Sequence, residues 1–330
     1  MSIAFSPSFW LIAYYYSIGF ISLIFNVITI LLIVFKSYKL DSFKYYLLAY
    51  QVSCANYVLQ LTILFQPMPL FPLLGGYCQG FLATYLGIWA HYMITINIAS
   101  AVIEVELLTI CFIMKQQSLS LIINKHVIPE SLLYTGAGAF IYIPLSVFLT
   151  FRQITMSQED QMAYIATNHP EYHRNFEELQ NFAIFHFNSW CYYLVVVTIS
   201  GGLFCGGAAI FTTADMFRMM KDLQTRVSRS SLKRYRATIQ SLIAQLVVSM
   251  MLVVPLTTFV ALIFNKSEYA QAIAQFCLAI CALHSIVNAG VLILSTSQYR
   301  NFLARKLPQP KFFKSSSIHP HGRVQLIATM

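Results

Sequence analysis

The sequence predicts an all-α membrane protein, a bundle of seven transmembrane helices with its N-terminus outside and its C-terminus inside. Three observations predict it. Of the 330 residues, 58% are hydrophobic and only 10% charged, whereas a soluble domain carries roughly 25% charged residues. Seven stretches are apolar over the length that crosses a bilayer, about 20 residues at about 1.5 Å each. With residue 1 outside, 18 of the 21 Lys and Arg fall on the inner side, where short positively charged loops stay.

The same composition excludes other classes. Apolar material is too abundant for a disordered chain, and neither a collagen period nor sustained heptads occur. The seven Cys contain no CxxC pair, so no zinc centre, and no cofactor, is expected. The net charge of +9 belongs to the inner face. It suits anionic lipids of the inner leaflet rather than nucleic acid.

Taken in order, residues 11–35 form the first span. Residues 1–10 carry no Lys or Arg, so the span reads as an uncleaved anchor rather than a signal peptide. Lys36, Lys39 and Lys44 close its inner end. Residues 45–65 form the second span, stopped by Pro67 and Pro69. The third, 79–113, is 35 residues long and must tilt or project beyond the bilayer. Lys115 and Lys125 follow it, and 131–151 make the fourth span.

An outer loop, 152–189, is polar, with Glu159, Asp160, Pro170, Glu177 and Glu178. It reads as a small cap long enough to cover a pocket. The fifth span, 190–217, contains Gly202-Leu-Phe-Cys-Gly206, a spacing that most often means close helix packing. The inner loop 218–236 repeats basic residues every three or four positions, as in Lys221, Arg226, Arg229, Lys233 and Arg236. Such a face either meets an acidic partner or lies on lipid headgroups. The sixth span, 237–264, contains Pro255, which removes a helical hydrogen bond and can kink the helix.

Residues 270–295 complete the seven. The bundle thus occupies 1–296, and 297–330 form a cytoplasmic tail. There Tyr299, Phe302 and Leu303 alternate with Arg300, Arg305 and Lys306, the pattern of a short amphipathic helix over 299–306.

Polar groups inside spans are costly and therefore candidates for function, helix-to-helix hydrogen bonding being the plainer use. The third span holds His91, Asn97, Glu104 and Glu106. Two residues apart on a helix, Glu104 and Glu106 cannot face the same way. With Pro255 they are the candidate switch, an ionic or hydrogen-bonded lock. Trp89, His91, Tyr92 and Asn97, with Trp190, Tyr193 and His284, are the candidate ligand-binding residues. They either line a small-molecule pocket or form the aromatic belt common at membrane interfaces. Cys78 and Cys191 are the two thiols nearest the oxidising face, candidates for a bridge between the outer loop and the third span. Asn265-Lys-Ser267 is a sequon in a loop of about five residues, close to the bilayer. No HExxH, GxSxG or phosphate-binding glycine loop occurs, and an enzyme is not expected.

Several segments resemble one family nearly end to end. They are Ile18-Gly-Phe-Ile-Ser22 with Phe25-Asn26, Asp41-Ser-Phe-Lys-Tyr-Tyr-Leu-Leu48, Gln66-Pro-Met-Pro-Leu-Phe-Pro72 with Gly76-Tyr77, His169-Pro-Glu-Tyr172, Ser241-Leu-Ile-Ala-Gln245, Leu283-His-Ser-Ile-Val-Asn288 and Tyr299-Arg300. Together they resemble the nematode serpentine chemoreceptors of the Str superfamily, most of all serpentine receptor class I, with class H as its neighbour. Two departures stand out: Ser297-Gln298 replace a Pro-Pro pair before Tyr299-Arg300, and Met114-Lys115 replace an Arg-Lys pair after Cys111-Phe112.

The resemblance implies a G-protein-coupled receptor fold at the plasma membrane of chemosensory neurons or their cilia. It implies a small environmental or pheromone-like ligand in the outer half and a heterotrimeric G protein at the inner face. The candidate coupling residues are Lys115, Arg218, Arg226, Arg229, Lys233, Arg234, Arg236, Tyr299 and Arg300. A seven-span ligand-gated channel or a transporter is the competing class, for which Asn97, Glu104 and Glu106 would be the pore-facing polar residues.

Overall fold

A computed structural model describes residues 3–36, 42–179, 181–264 and 268–306; the sequon at Asn265 and the tail from 307 onward lie outside the described residues. In chain order, α1 (Phe9–Lys36) and α2 (Phe43–Leu59) lead through a π-helical turn (Gln60–Phe65) to strands β1 (Pro67–Pro69) and β2 (Gly75–Cys78). Then come α3 (Phe81–Leu86), α4 (Ala90–Ile123), α5 (Glu130–Ile154), α6 (Gln158–Asn168), α7 (His173–Glu178) and β3 (Phe182–Ile184). The chain continues through α8 (Ser189–Leu223), α9 (Arg229–Phe264), α10 (Ala270–Ser295) and α11 (Ser297–Lys306). Among the described residues, seven helices are long and apolar enough to cross a membrane: α1, α2 with its π turn, α4, α5, α8, α9 and α10. The chain is a multi-pass membrane protein.

The third span departs from the expected 79–113. The apolar run from residue 79 is broken: α3 ends at Gly87 with φ +62°, and Trp89 is extended before α4 starts at Ala90. A left-handed residue stops a helix cheaply only where the side chain is glycine or a short amide. At the other end the helix runs on through a polar stretch to Ile123 and stops at Asn124, also left-handed, with φ +58°. Gly80 is needed for a different reason, because a Cβ there would collide with the backbone of Leu64.

Two large apolar clusters fill the bundle. One joins α1, α2, α4, α8, α9 and α10 near the loop between α8 and α9, termed here the basic end. The other lies at the opposite end, under the strands. Of the seven spans α10 is the most enclosed and α5 the least. Phe20, Leu203, Ile210 and Phe211 are exposed on the flank, as expected where lipid replaces water. Gly202 and Gly206 also face open space, with nothing near a Cβ built on either. The close packing expected of that pair is absent because α8 turns this face outward; it is the neighbouring Gly201 that meets Ile143 of α5.

The opposite end is closed by a sheet of three antiparallel strands in the order β1-β2-β3, pairing Met68 with Tyr77 and Tyr77 with Phe182. This is the sheet end. Helices α6 and α7, from the expected cap loop, pack beside it. The N-terminal segment is sewn in: Ala4 N–H donates to Gln271 Oε1 (3.0 Å), Gln271 Nε2 donates back to Ala4 O (2.8 Å), and Ser8 Oγ donates to Gln275 Oε1 (2.9 Å). The Phe5 ring stands edge-on to Phe176 at 5.0 Å and tilts against Tyr172 at 5.6 Å.

The bridge considered between Cys78 and Cys191 is not formed. Both are free and buried in the same apolar cluster. The Cys191 thiol instead donates to the His186 carbonyl at 3.3 Å, and burial pushes the Cys78 thiol well above its usual range. Surface expression and unfolding temperature of the unmodified protein should therefore be indifferent to mild reductant, and replacing both by Ser should change neither. A loss of surface expression on mild reduction of the unmodified protein would show that a bridge exists.

Candidate functional site

The α4 helix carries the polar residues, and its pitch separates them. Asn97 and Glu104 are seven positions apart and share a face, about 10 Å from one another along the axis. Glu104 is 1% exposed. Its Oε1 lies 3.1 Å from His284 Nδ1 on α10 and accepts from the Cys54 thiol of α2 at 3.0 Å. Around this pair a buried network ties four spans. Asn26 donates to Ser285 Oγ (2.7 Å), Ser285 donates to Cys54 O (3.2 Å), and Tyr50 donates to Asn288 Oδ1 (3.3 Å). Gln51 Nε2 donates to Asn26 Oδ1.

The network leaves several atoms unsatisfied. Glu104 Oε2, Asn97 Nδ2 and both polar atoms of Gln245 on α9 have no hydrogen-bond partner among the described residues. The Glu104–His284 contact is a close approach without a hydrogen bond, because the imidazole nitrogens are not aligned for one. Buried atoms without partners cost about 1–3 kcal/mol each. Glu106, turned about 200° away, is buried with Oε1 unpartnered.

The expected ligand cluster is therefore divided. Trp89, His91 and Tyr92 do meet, with ring centroids 5.2–5.8 Å apart. They pack against the cap: His91 lies against Phe185 and the Thr155 hydroxyl, and Trp89 Nε1 donates to Phe182 O at 2.9 Å. Asn181, left-handed at φ +69°, clamps β3 to this corner by accepting from Ala90 N–H and donating to Ile88 O. Trp190 and Tyr193 pair with each other at 5.9 Å, and Tyr193 shares a hydrogen bond of 2.8 Å with Tyr142 on the exposed flank of α5. They belong to an outward aromatic face. His284 is absent from the cluster altogether, fully buried beside Glu104.

The basic end is divided as well. Arg218, Arg229, Lys233 and Arg236 are exposed, and Arg226 is exposed while donating to Ile123 O at 3.0 Å, where it satisfies a terminal carbonyl of α4. The side chain of Arg234 lies outside the described residues. Lys115 corrects the expectation of a free inner-face cation: it is 4% exposed, its ammonium 4.8 Å from the Tyr235 ring centroid and 5.1 Å from that of Phe43. Tyr299 is likewise fully buried in the basic-end core rather than presented to a partner. Arg300 remains exposed and donates to Leu294 O at 2.7 Å, closing the end of α10. Pro255 is buried midway along α9.

A further cluster had no signal in the sequence. Buried Asp215 of α8 lies 3.2 Å from His126 Nδ1 and accepts from Gln116 Nε2 at 2.7 Å. Gln116 and Ser120 also hold the His126 carbonyl, at 3.0 and 3.1 Å. The helix pitch that places Gln116 and Ser120 on one face was readable; the partner on α8 was not. No group of three or more His, Cys, Asp or Glu side chains that could hold a metal occurs among the described residues.

Comparisons with known proteins agree with this architecture. Squid rhodopsin, in its crystal structure, superposes with a TM-score of 0.52 at 13% identity, covering 89% of this chain and 83% of that one. That likeness concerns the fold alone. No curated protein matches the sequence. A family model described as serpentine type 7TM GPCR chemoreceptor Sri matches residues 1–303. The chain belongs to the Sri family of seven-transmembrane serpentine chemoreceptors.

Proposed function

We propose that the protein is a chemosensory receptor of the plasma membrane of sensory neurons or their cilia, with the sheet end outside and the basic end in the cytoplasm. It binds a small environmental or pheromone-like molecule in the outer half of the bundle and activates a heterotrimeric G protein. The distribution of Lys and Arg supports this orientation. The observation that carries the ligand reading is the pair of unpartnered buried atoms on one face of α4, Asn97 Nδ2 and Glu104 Oε2. A small, mostly apolar molecule with an acceptor for Asn97 satisfies the first and approaches the second.

Activation follows as a population shift. The resting bundle keeps Glu104 against His284, which joins α4 to α10. A ligand that binds better when these helices separate shifts the equilibrium toward the open arrangement, by as much as its affinities for the two states differ. Pro255 gives α9 a place to bend. Its exposed start, with Arg229 and Lys233, then meets the G protein, while the tail helix rests on anionic lipid.

The test is Arg229→Glu with Lys233→Glu in the full chain. Agonist-driven nucleotide exchange should be lost with surface expression unchanged. Exchange preserved at the normal rate would overturn the assignment of this face.

A further inference from the structure

At the basic end α8 and α9 touch far less than α9 and α10 do. Between them lies a cleft of about 460 Å³, a size at which small-molecule sites are found. Two cations and two side-chain amides converge on it: Lys221 from α8, Gln224 from the turn that caps it, and Arg236 and Gln240 from α9. The carboxylates nearby are engaged elsewhere. Asp222 pairs with Lys125 at 3.0 Å, and Asp215 with His126 and Gln116. Among the described residues, Lys221 and Arg236 have no ion-pair partner. The wall of the cleft is apolar, formed by Phe217, Met220 and Ile239, and Phe217 is 49% exposed on the flank of the bundle.

We propose that this cleft binds the headgroup of a phospholipid bearing phosphomonoester groups. A phosphomonoester carries a charge of about −1.5 to −2, which matches two unopposed cations, and the Gln224 and Gln240 amides add donors to its oxygens. The apolar wall distinguishes a lipid from a soluble phosphate: a headgroup held by Lys221 and Arg236 leaves its glycerol and first acyl carbons against Phe217, beside the bilayer. Bound there, the lipid joins the ends of α8 and α9, which few direct contacts connect. The inference rests on the orientation proposed above only for which leaflet supplies the lipid, here the cytoplasmic one.

The test uses the full-length receptor in phosphatidylcholine nanodiscs, titrated with a short-chain phosphatidylinositol bisphosphate and, separately, with the soluble inositol trisphosphate headgroup. Lys221→Gln with Arg236→Gln should weaken lipid binding at least about tenfold, since two charge-assisted contacts are lost. Arg229→Gln with Lys233→Gln removes the same charge outside the cleft and should leave binding within about threefold, the screened effect of distant charge. The soluble headgroup should bind at least about tenfold more weakly than the lipid, having no apolar contact to make. Equal losses in the two double variants would reduce the effect to diffuse charge and overturn the site. Equal affinities for lipid and soluble headgroup would make it a site for a free phosphate. Lipid binding intact in the cleft variant, with loss of nucleotide exchange, would assign the cleft to the G protein instead. Binding is read without agonist or G protein, so failure of the receptor reading does not masquerade as failure of the lipid site.

Discussion

Glu104→Gln is expected to produce a receptor that signals without ligand. The substitution keeps the volume and a polar end but replaces the carboxyl oxygen that lies 3.1 Å from His284 Nδ1 and accepts from the Cys54 thiol. Losing a buried polar contact and leaving its partner unsatisfied costs about 1–3 kcal/mol. Where the contact exists only in the resting arrangement, that cost falls on the resting state alone. Each 1.4 kcal/mol is about tenfold in the equilibrium, so the active fraction should rise by about tenfold or more until it saturates. Basal nucleotide exchange in membranes measures it. The exchanged pair, Glu104→His with His284→Glu, should restore most of the resting behaviour, and the cycle of single and double variants gives the coupling directly. If the single variant merely melts earlier while basal exchange stays at the resting level, the pair is structural and the lock is wrong.

The second large effect is expected at Tyr299. Its ring is fully buried in the core at the basic end, where Leu292, Phe302 and Leu303 also pack. Tyr299→Ala removes a large aromatic from a packed site, a change of about 3–5 kcal/mol. The detergent-solubilised receptor should lose several times more thermal stability than Arg300→Ala causes. The latter removes one hydrogen bond to Leu294 O at an exposed position, about 0.5–1.5 kcal/mol. Thermal unfolding followed by thiol exposure compares the two. A larger effect at Arg300 than at Tyr299 would show that α11 is held by charge rather than by packing. Lys36 Nζ also lies 4.3 Å from the Phe302 ring centroid of this helix.

The number of spans was legible because each needs an uninterrupted apolar run, and a run of that length has no other use in this chain. Their depth was not. Hydropathy reads residues 79–89 as part of the third span, since Phe81, Leu82, Leu86 and Trp89 are apolar. The break depends on dihedral angles at Gly87 and Trp89 that composition does not record. A similar error of depth placed His284 among the outer aromatics. Its partner is two turns farther down α4 than Asn97, and only the stagger between α4 and α10 decides that. Glu104 stood out as a candidate because a carboxyl inside a span is costly, but its neighbours Cys54 and His284 on other spans were not readable. Lys115 and Tyr299 were read from their distance to the apolar edge, which does not say that Phe43 and Tyr235 come round from α2 and α9 to enclose a cation.

The stitching of the N-terminal segment bears on how the chain is made. Ala4 and Gln271, joined by two hydrogen bonds, are 267 residues apart. Residues 3–8 leave the ribosome long before the helix that fixes them. Their bonds to α10 must wait through the insertion of six spans, while Phe5 O can already accept from the Tyr77 hydroxyl at 2.9 Å. The last span therefore closes the sheet end, because the two Ala4–Gln271 bonds and the Ser8–Gln275 bond can form only once α10 is in place.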